Sequence, residues 1–339
     1  MHSSEWHLVR RPVGEPVDDD FALVEVELPA PDAEEILVHN TFLSVDPYMR
    51  GRMNDVKSYA PPFGLGEPMG GGATGVVEEV GGAVLDVTGR TIKVGDTVLH
   101  DHGWRTHAVL AGRRVRVLDV ESAPAQAWLG VLGMTGLTAY AGLLRVAEFH
   151  EGDAVFVSAA AGSVGSLVGQ IARLKGASLV VGSAGGPEKT QWLLDDLGFD
   201  RAIDYRSGPI GRSLREAAPD GIDVYFDNVG GDHLEAAISS LRPHGRGALC
   251  GMISRYNDTA ATPGPKNLAL LIGNRLTLRG FLVSDHADLR GQFEDEVGGW
   301  VRDGKVVWRE TIVDGIEETV HGFQSLLTGG NTGKMLVRI

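Results

Sequence analysis

A single cysteine, Cys250, stands in a chain of 339 residues. One thiol excludes an intramolecular disulfide and any zinc site built on several thiolates. Positive charge is also short: 31 Lys and Arg against 45 Asp and Glu leave a formal net charge of −14. That balance argues against a general affinity for nucleic acid or anionic membranes. An anionic ligand can bind only through a local arrangement of donors and cations. No apolar run approaches the roughly 20 residues of a membrane span. The opening MHSSEWHLVRRPVGEP has no apolar core of the kind a secretory signal needs. A soluble, cytoplasmic protein without nucleic-acid or membrane partners is expected.

What is present is ordinary in bulk, with 43% apolar and 22% charged residues, and the length suits two domains that each bury a core. From about residue 7 to 124 short alternating segments, FALVEVELP (21–29), EILVHNTFLSV (35–45), ATGVVEEV (73–80) and DTVLH (96–100), are separated by Gly, Pro and Asp. This is the texture of an all-β, barrel-like region. After Pro124 it changes. Residues 126–147 read as helical, interrupted around LGVLGMTGLTAY, and strands at 154–159, 178–184, 201–205, 223–229, 247–252 and 277–283 alternate with helices, as in a parallel sheet covered on both faces. A helix near 288–303 leads to a β-rich tail, placed back on the N-terminal domain. The expected fold is α/β: a doubly wound domain at 125–303 and a β domain from 1–124 plus 304–339.

The turn after the strand AVFVSA reads Ala160-x-Gly162-x-x-Gly165, a GxGxxG-type pattern with alanine in the first place. Gly162 allows backbone to approach a pyrophosphate and Gly165 allows helix and strand to pack closely. The free N–H groups of the helix start, aided by its dipole, suit a phosphate. An NAD-binding unit carries an acid about 20 residues on. Here the second strand ends in Gly182-Ser183-Ala184-Gly185-Gly186, followed by Pro187-Glu188-Lys189. Small residues leave room for a 2′-phosphate within reach of Lys189 and Tyr205, which favours NADPH/NADP+ over NAD(H).

Seven segments in order, FLSVDPYMRGRM (42–53), GMTGLTAY (133–140), AAAGSVG (159–165), EKTQWLLDDLGFD (188–200), YFDNVGG (225–231), CGMISRYN (250–257) and NTGKMLV (331–337), resemble the zinc-free medium-chain dehydrogenase/reductases. The likeness is greatest to the branch of prostaglandin, alkenal and curcumin reductases. It implies a GroES-like β domain beside a Rossmann domain, with the nicotinamide in a cleft between them, no metal, and often a homodimer paired along the last Rossmann strand. Edge strands need such covering. It also implies cofactor contacts from Gly162, Ser163, Val164, Gly165, Lys189, Tyr205, Asn228, Cys250, Gly251, Ile253, Ser254, Tyr256, Phe281, Leu282, Val283 and Asn331. Cys250 is expected inside a buried strand.

Without a Lewis acid, a simple ketone is hard to reduce, because its alkoxide needs another stabiliser. A conjugated C=C is a better match: its charge spreads to the carbonyl oxygen, where a hydroxyl donor can hold it. The resemblance assigns that role to Tyr256. Tyr48 either faces the substrate or only closes the fold, and Arg50 and Arg52 either meet an acidic substrate tail or are solvated. His100, Asp101, His102 and His107 form the one metal-like local cluster, for which strand-end histidines are the plainer reading. The Pro- and Gly-rich stretch 258–268 reads as a lid. An NADPH-dependent 2-alkenal or enone reductase is expected, with a quinone reductase and a non-catalytic dinucleotide sensor as alternatives.

Overall fold

The computed structural model describes all 339 residues, and the chain divides into two units. One comprises Met1–Leu129, Glu310–Asn331 and Met335–Ile339; the other comprises Gly130–Arg309 and Thr332–Lys334.

The first unit opens with β1 (His2–Leu8), β2 (Phe21–Glu27), β3 (Glu35–Ser44), the short α1 (Tyr48–Arg52), β4 (Glu67–Pro68), β5 (Ala73–Val80), β6 (Thr97–His100), β7 (His107–Ala111) and β8 (Arg116–Val117). Alternation builds these strands. In β7, Ala108 and Leu110 are buried while His107, Val109 and Ala111 stay half-exposed, as the twofold side-chain period requires.

The second unit then runs α2 (Met134–Ala141), β9 (Ala154–Val157), α3 (Ser163–Leu174), β10 (Leu179–Ala184), α4 (Pro187–Asp195), β11 (Arg201–Asp204), α5 (Ile210–Ala217), β12 (Ile222–Asp227), α6 (Gly231–Ser240), β13 (Leu241–Leu249), α7 (Ala269–Asn274), β14 (Thr277–Gly280) and α8 (Arg290–Arg302). All four residues of β9 are buried, as befits a strand covered on both faces. The sheet order is β11-β10-β9-β12-β13-β14, with parallel pairing throughout. This is the Rossmann order. The chain reverses its winding between β9 and β12, and in such sheets the crevice at the strand C-termini there receives the ligand.

Back in the first unit, β15 (Glu310–Asp314) and α9 (Thr319–Leu327) precede β16 (Lys334–Arg338). β16 pairs antiparallel with β3 in the order β15-β16-β3-β5-β6-β8, with β7 also on β3; β2-β1-β4 form a separate small sheet. One core gathers Met49, Met53, Trp104 and Phe323; another gathers Ile36, Val38, Val77, Val98 and Leu110.

Several expectations need correction. The tail at 304–339 is not purely β, since α9 lies within it, whereas residues 126–147 are helical with an interruption as expected, a 3-10 turn followed by α2 and a π-helical turn. The strand expected at 277–283 ends at Gly280, and Cys250 lies just beyond β13 rather than inside it. β1 escapes a pattern search because two of its inward residues are polar, Ser3 and Glu5. Arg50 is not solvated. It is buried and donates to the Gly14 and Pro12 carbonyls and to Asn54 Oδ1, which makes it a brace for the N-terminal loop. Arg52 lies 4.1 Å from the centre of the Phe63 ring.

His100 is also a structural residue. Its Nδ1 accepts the His102 N–H at 3.1 Å, while its buried Nε2 has no partner. Burial pushes its pKa down from 6.5 to about 3. In the second unit burial pushes His233 down to about 4. Below pH 6.5 the unfolded chain takes protons that the folded chain refuses, so stability must fall as pH drops from there towards 3. His100→Asn, whose Oδ1 can replace Nδ1 as acceptor, should show a shallower loss of unfolding free energy between pH 6.5 and 4. An equally steep acid limb in the variant would assign the loss to other groups.

Candidate functional site

The loops at the C-terminal ends of β9, β12 and β13 are tied together at one buried residue. Asp227 ends β12 with no exposed surface. Its Oδ1 accepts hydrogen bonds from Tyr225 Oη (2.6 Å), Ser158 Oγ (3.2 Å), and the backbone N–H groups of Val229 (2.9 Å) and Gly230 (2.8 Å). Its carbonyl accepts the N–H groups of Cys250 and Gly251. Burial raises the Asp227 carboxyl, and these hydrogen bonds oppose the shift. The Ser158 hydroxyl accepts the Asn228 N–H at 2.9 Å, and Asn228 Nδ2 donates to the Ser158 carbonyl at 2.8 Å. One Nδ2 hydrogen of Asn228 is thus committed to the fold, and its second hydrogen and Oδ1 are left as groups a ligand could use.

From this anchor the glycine turn runs into α3. Ala159 takes φ +47°, an uncommon conformation for a residue with a side chain. Gly162 precedes the helix, whose N-terminus carries no side-chain cap. Gly162, Ser163 and Val164 are half-exposed, a setting in which helix-start N–H groups suit an anion. Gly165 is needed where it stands: a Cβ there would lie 2.5 Å from the Ala159 carbonyl oxygen and 2.8 Å from Ala160 Cα. The Gly333 N–H donates to the Ala161 carbonyl at 2.7 Å. With φ +70° and a virtual Cβ only 1.8 Å from the Arg309 carbonyl oxygen, no other residue fits at Gly333.

The segment 250–256 leans on the same anchor. Ile253 and Ser254 donate backbone N–H groups to the Asn228 and Val229 carbonyls, and the Ser254 hydroxyl donates to Val229 at 2.6 Å. The Tyr256 hydroxyl oxygen accepts the Met252 N–H at 3.3 Å. A phenol that accepts a hydrogen bond is polarised towards donating its own hydrogen. Burial pushes the Cys250 thiol up to about 12, so it remains a thiol. Phe281 packs edge-on against Phe226 with ring centres 6.3 Å apart; Leu282 and Val283 follow it into a 3-10 turn.

A second group of predicted residues gathers at the end of β10. Lys189 is half-buried near the start of α4, and its pKa is lowered by burial and then by the Arg206 charge. Tyr205 is tied by its N–H to the Ala184 carbonyl, and a Cβ on Gly185 would meet its hydroxyl at 2.8 Å and Arg206 Nε at 2.9 Å. Arg206 was not anticipated. Its signal was adjacency to Tyr205, but only the pairing of β10 with β11 carries it to Gly185. Asp204, the nearby acid, accepts the Gly186 and Arg206 N–H groups and so serves the turn. Two cations beside small residues, with Asp204 engaged by the turn, are suited to a phosphate dianion.

Tyr48 and Asn331 belong to the first unit. Tyr48 packs half-buried against the Met49–Trp104 core, and burial, then Asp46, raises its hydroxyl. Asn331 is buried. The stretch 258–268 is largely exposed coil, held at its end by the Lys266 N–H and Asn267 Nδ2, which donate to Glu235. His107 turns away from His100 and His102, its ring stacked on that of His39.

A Rossmann sheet with an uncapped glycine turn at its switch point defines a dinucleotide-dependent oxidoreductase. Residues 4–118 match the family described as N-terminal domain of oxidoreductase, and residues 163–297 match that described as Zinc-binding dehydrogenase. The chain is 39% identical to the NADPH-dependent curcumin reductase of Escherichia coli, covering 100% of this chain and 97% of that protein. It is 38% identical to the NADP(+)-dependent 2-alkenal reductase of Nicotiana tabacum, covering 96% and 94%. The crystal structure of CurA from Vibrio vulnificus in complex with NADPH superposes with a TM-score of 0.92 at 40% identity, covering 99% and 98%. The chain belongs to the medium-chain dehydrogenase/reductase family, in the branch of prostaglandin, curcumin and alkenal reductases.

The catalytic zinc that one of these descriptions implies does not fit the donors. The only cysteine, Cys250, stands alone in the loop after β13 with its N–H held by the Asp227 carbonyl, and His100 is buried with Nδ1 already accepting a backbone N–H.

The turn geometry can be tested alone. Gly165→Ala should cost about 1–3 kcal/mol, the usual penalty for forcing atoms into a packed site, and weaken dinucleotide binding; denaturant unfolding and a binding titration read both. Unchanged stability and binding would show that helix and strand have slack at this contact.

Proposed function

We propose that this chain is an NADPH-dependent, zinc-independent reductase of the C=C bond of α,β-unsaturated aldehydes and ketones. The observation that carries this reading is the position of Tyr256, whose segment is hydrogen-bonded to Asn228 and Val229 beside the glycine turn. The curcumin and 2-alkenal reductases among its relatives support the substrate class.

Gly162, Ser163, Val164 and Gly165 would receive the pyrophosphate, and Lys189, Tyr205 and Arg206 the 2′-phosphate. Asn228, the 250–256 segment, Phe281, Leu282, Val283 and Asn331 complete the site as proposed contacts. NADPH, when bound, supplies a hydride for the β carbon of the conjugated olefin. As electrons shift from the C=C bond to the carbonyl oxygen, the Tyr256 hydroxyl donates to that oxygen and holds the enolate. A proton then reaches the α carbon from Tyr256 or water. Tyr48 is proposed as a second hydroxyl at the substrate.

The exposed edge strand β14, with Leu268, Leu270 and Ile272 open beside it, supports a homodimer formed along that edge. No helix is long and apolar enough to cross a membrane, and the near-absence of cysteine suits the cytoplasm, where we place the protein.

Three measurements test this. Tyr256→Phe should lower enone turnover roughly ten- to a thousandfold, around the magnitude of one lost oxyanion donor; an unchanged kcat would assign Tyr256 to packing. Lys189→Ala with Arg206→Ala should narrow the KM preference for NADPH over NADH, and a native ratio near one would sink the 2′-phosphate assignment. Chelator should leave turnover intact, whereas loss restored by zinc would return a metal to the mechanism.

A further inference from the structure

On the first unit, three neighbouring strands bring together side chains that the reductase reading does not use. His39 of β3 and His107 of β7 are direct cross-strand partners. Their flanking residues Val38 and Ala108 are buried, so both imidazoles project from the opposite face of the sheet. The rings stack with centres 4.6 Å apart at 12°. On the other side of β3, the register with β5 passes from Leu37↔Glu79 to Val38↔Val77. Glu78 is therefore the extra residue of a β-bulge, a device that re-aims a side chain. Its two oxygens lie 3.9 Å from His39 Nδ1 and 3.7 Å from His107 Nε2.

We propose that His39, Glu78 and His107 form a surface site for a borderline divalent metal ion such as Zn2+, separate from the dinucleotide loops. Two imidazoles and a carboxylate are the donor set such ions prefer, and water can fill the remaining positions. The candidate donor atoms all lie within 4.8 Å of one another. Tetrahedral Zn2+ with bonds of about 2.0–2.1 Å needs donors roughly 3.4 Å apart, so closure requires the two imidazoles to turn out of their stack until both ring planes contain the ion. The other ring nitrogen of His107 already has a partner. Its Nδ1 lies 3.2 Å from Thr106 Oγ1, which aims Nε2 at Glu78 in the manner of an outer-shell partner. The Ser3 hydroxyl accepts the His107 N–H and donates to its carbonyl, fixing the backbone. A bound ion would tie β5, β3 and β7 together and stabilise the folded state by mass action.

The test is calorimetric titration of the full chain, stripped with chelator, with Zn2+ and separately with Mg2+, alongside the thermal midpoint with each ion. One equivalent of Zn2+ is expected to bind and raise the midpoint, with Mg2+ inert. Glu78→Gln should weaken binding by at least about tenfold, since even outer-shell changes cost 10- to 100-fold. His39→Ala/His107→Ala should abolish binding, and His102→Gln should retain it. Stoichiometric Zn2+ binding unchanged in both the double variant and Glu78→Gln, or no Zn2+ binding by the native chain, would overturn the proposal and leave the trio an ion pair. If the double variant does not fold, the isosteric Glu78→Gln decides. Enone turnover should be the same with and without Zn2+, so this outcome is independent of the reductase reading.

Discussion

The buried carboxylate of Asp227 is the constraint on which the second unit's site depends. Two side-chain hydroxyls and two backbone N–H groups converge on one of its oxygens, and its carbonyl fixes the start of the 250–256 segment. Each donor left unsatisfied in the interior costs about 1–3 kcal/mol. Losing the acceptor altogether would therefore consume much of the roughly 5–15 kcal/mol that holds a domain folded. The loops after β9 and β12 are positioned jointly for this reason, while the loop after β13, which carries Tyr256, hangs on the main-chain carbonyl of the same residue.

Around this anchor the electrostatics point one way. The unit has an uncapped start to α3 and, in the first turn of α4, a lysine whose charged form is disfavoured by burial and by a neighbouring guanidinium. Both features are unfavourable in isolation and favourable next to phosphate. An acidic chain with few cations would hold an anionic cofactor through such a local pairing of Lys189 and Arg206, whose repulsion a phosphate would offset.

Local periodicity made the strand-helix alternation legible, and the spacing Gly162-x-x-Gly165 with the acid-free end of β10 was readable because these signals are contiguous. The features that escaped depend on pairing between distant segments. Asp227 resembles any strand-end acid until Ser158 and Tyr225 are packed against it. Arg206 reaches Gly185 only because β11 lies beside β10. His100 and His107 suggested a shared cluster by proximity in the chain, yet one turns into the interior and the other stacks on His39, a partner 68 positions earlier that the β3–β7 register selects. Inward polar residues hid β1, and the β-rich flanks of the tail hid α9.

The account rests on Asp227 organising a dinucleotide site, and the most direct test is NADPH affinity in Asp227→Asn, measured together with unfolding free energy. Asparagine keeps one acceptor oxygen but puts an amide where Oδ2 has no partner. The expected result is a chain that still folds and binds NADPH about 10- to 100-fold more weakly, the scale seen when a supporting hydrogen-bond partner is lost. Native affinity in a folded variant would show that the loops hold their places without the carboxylate, and would contradict the account.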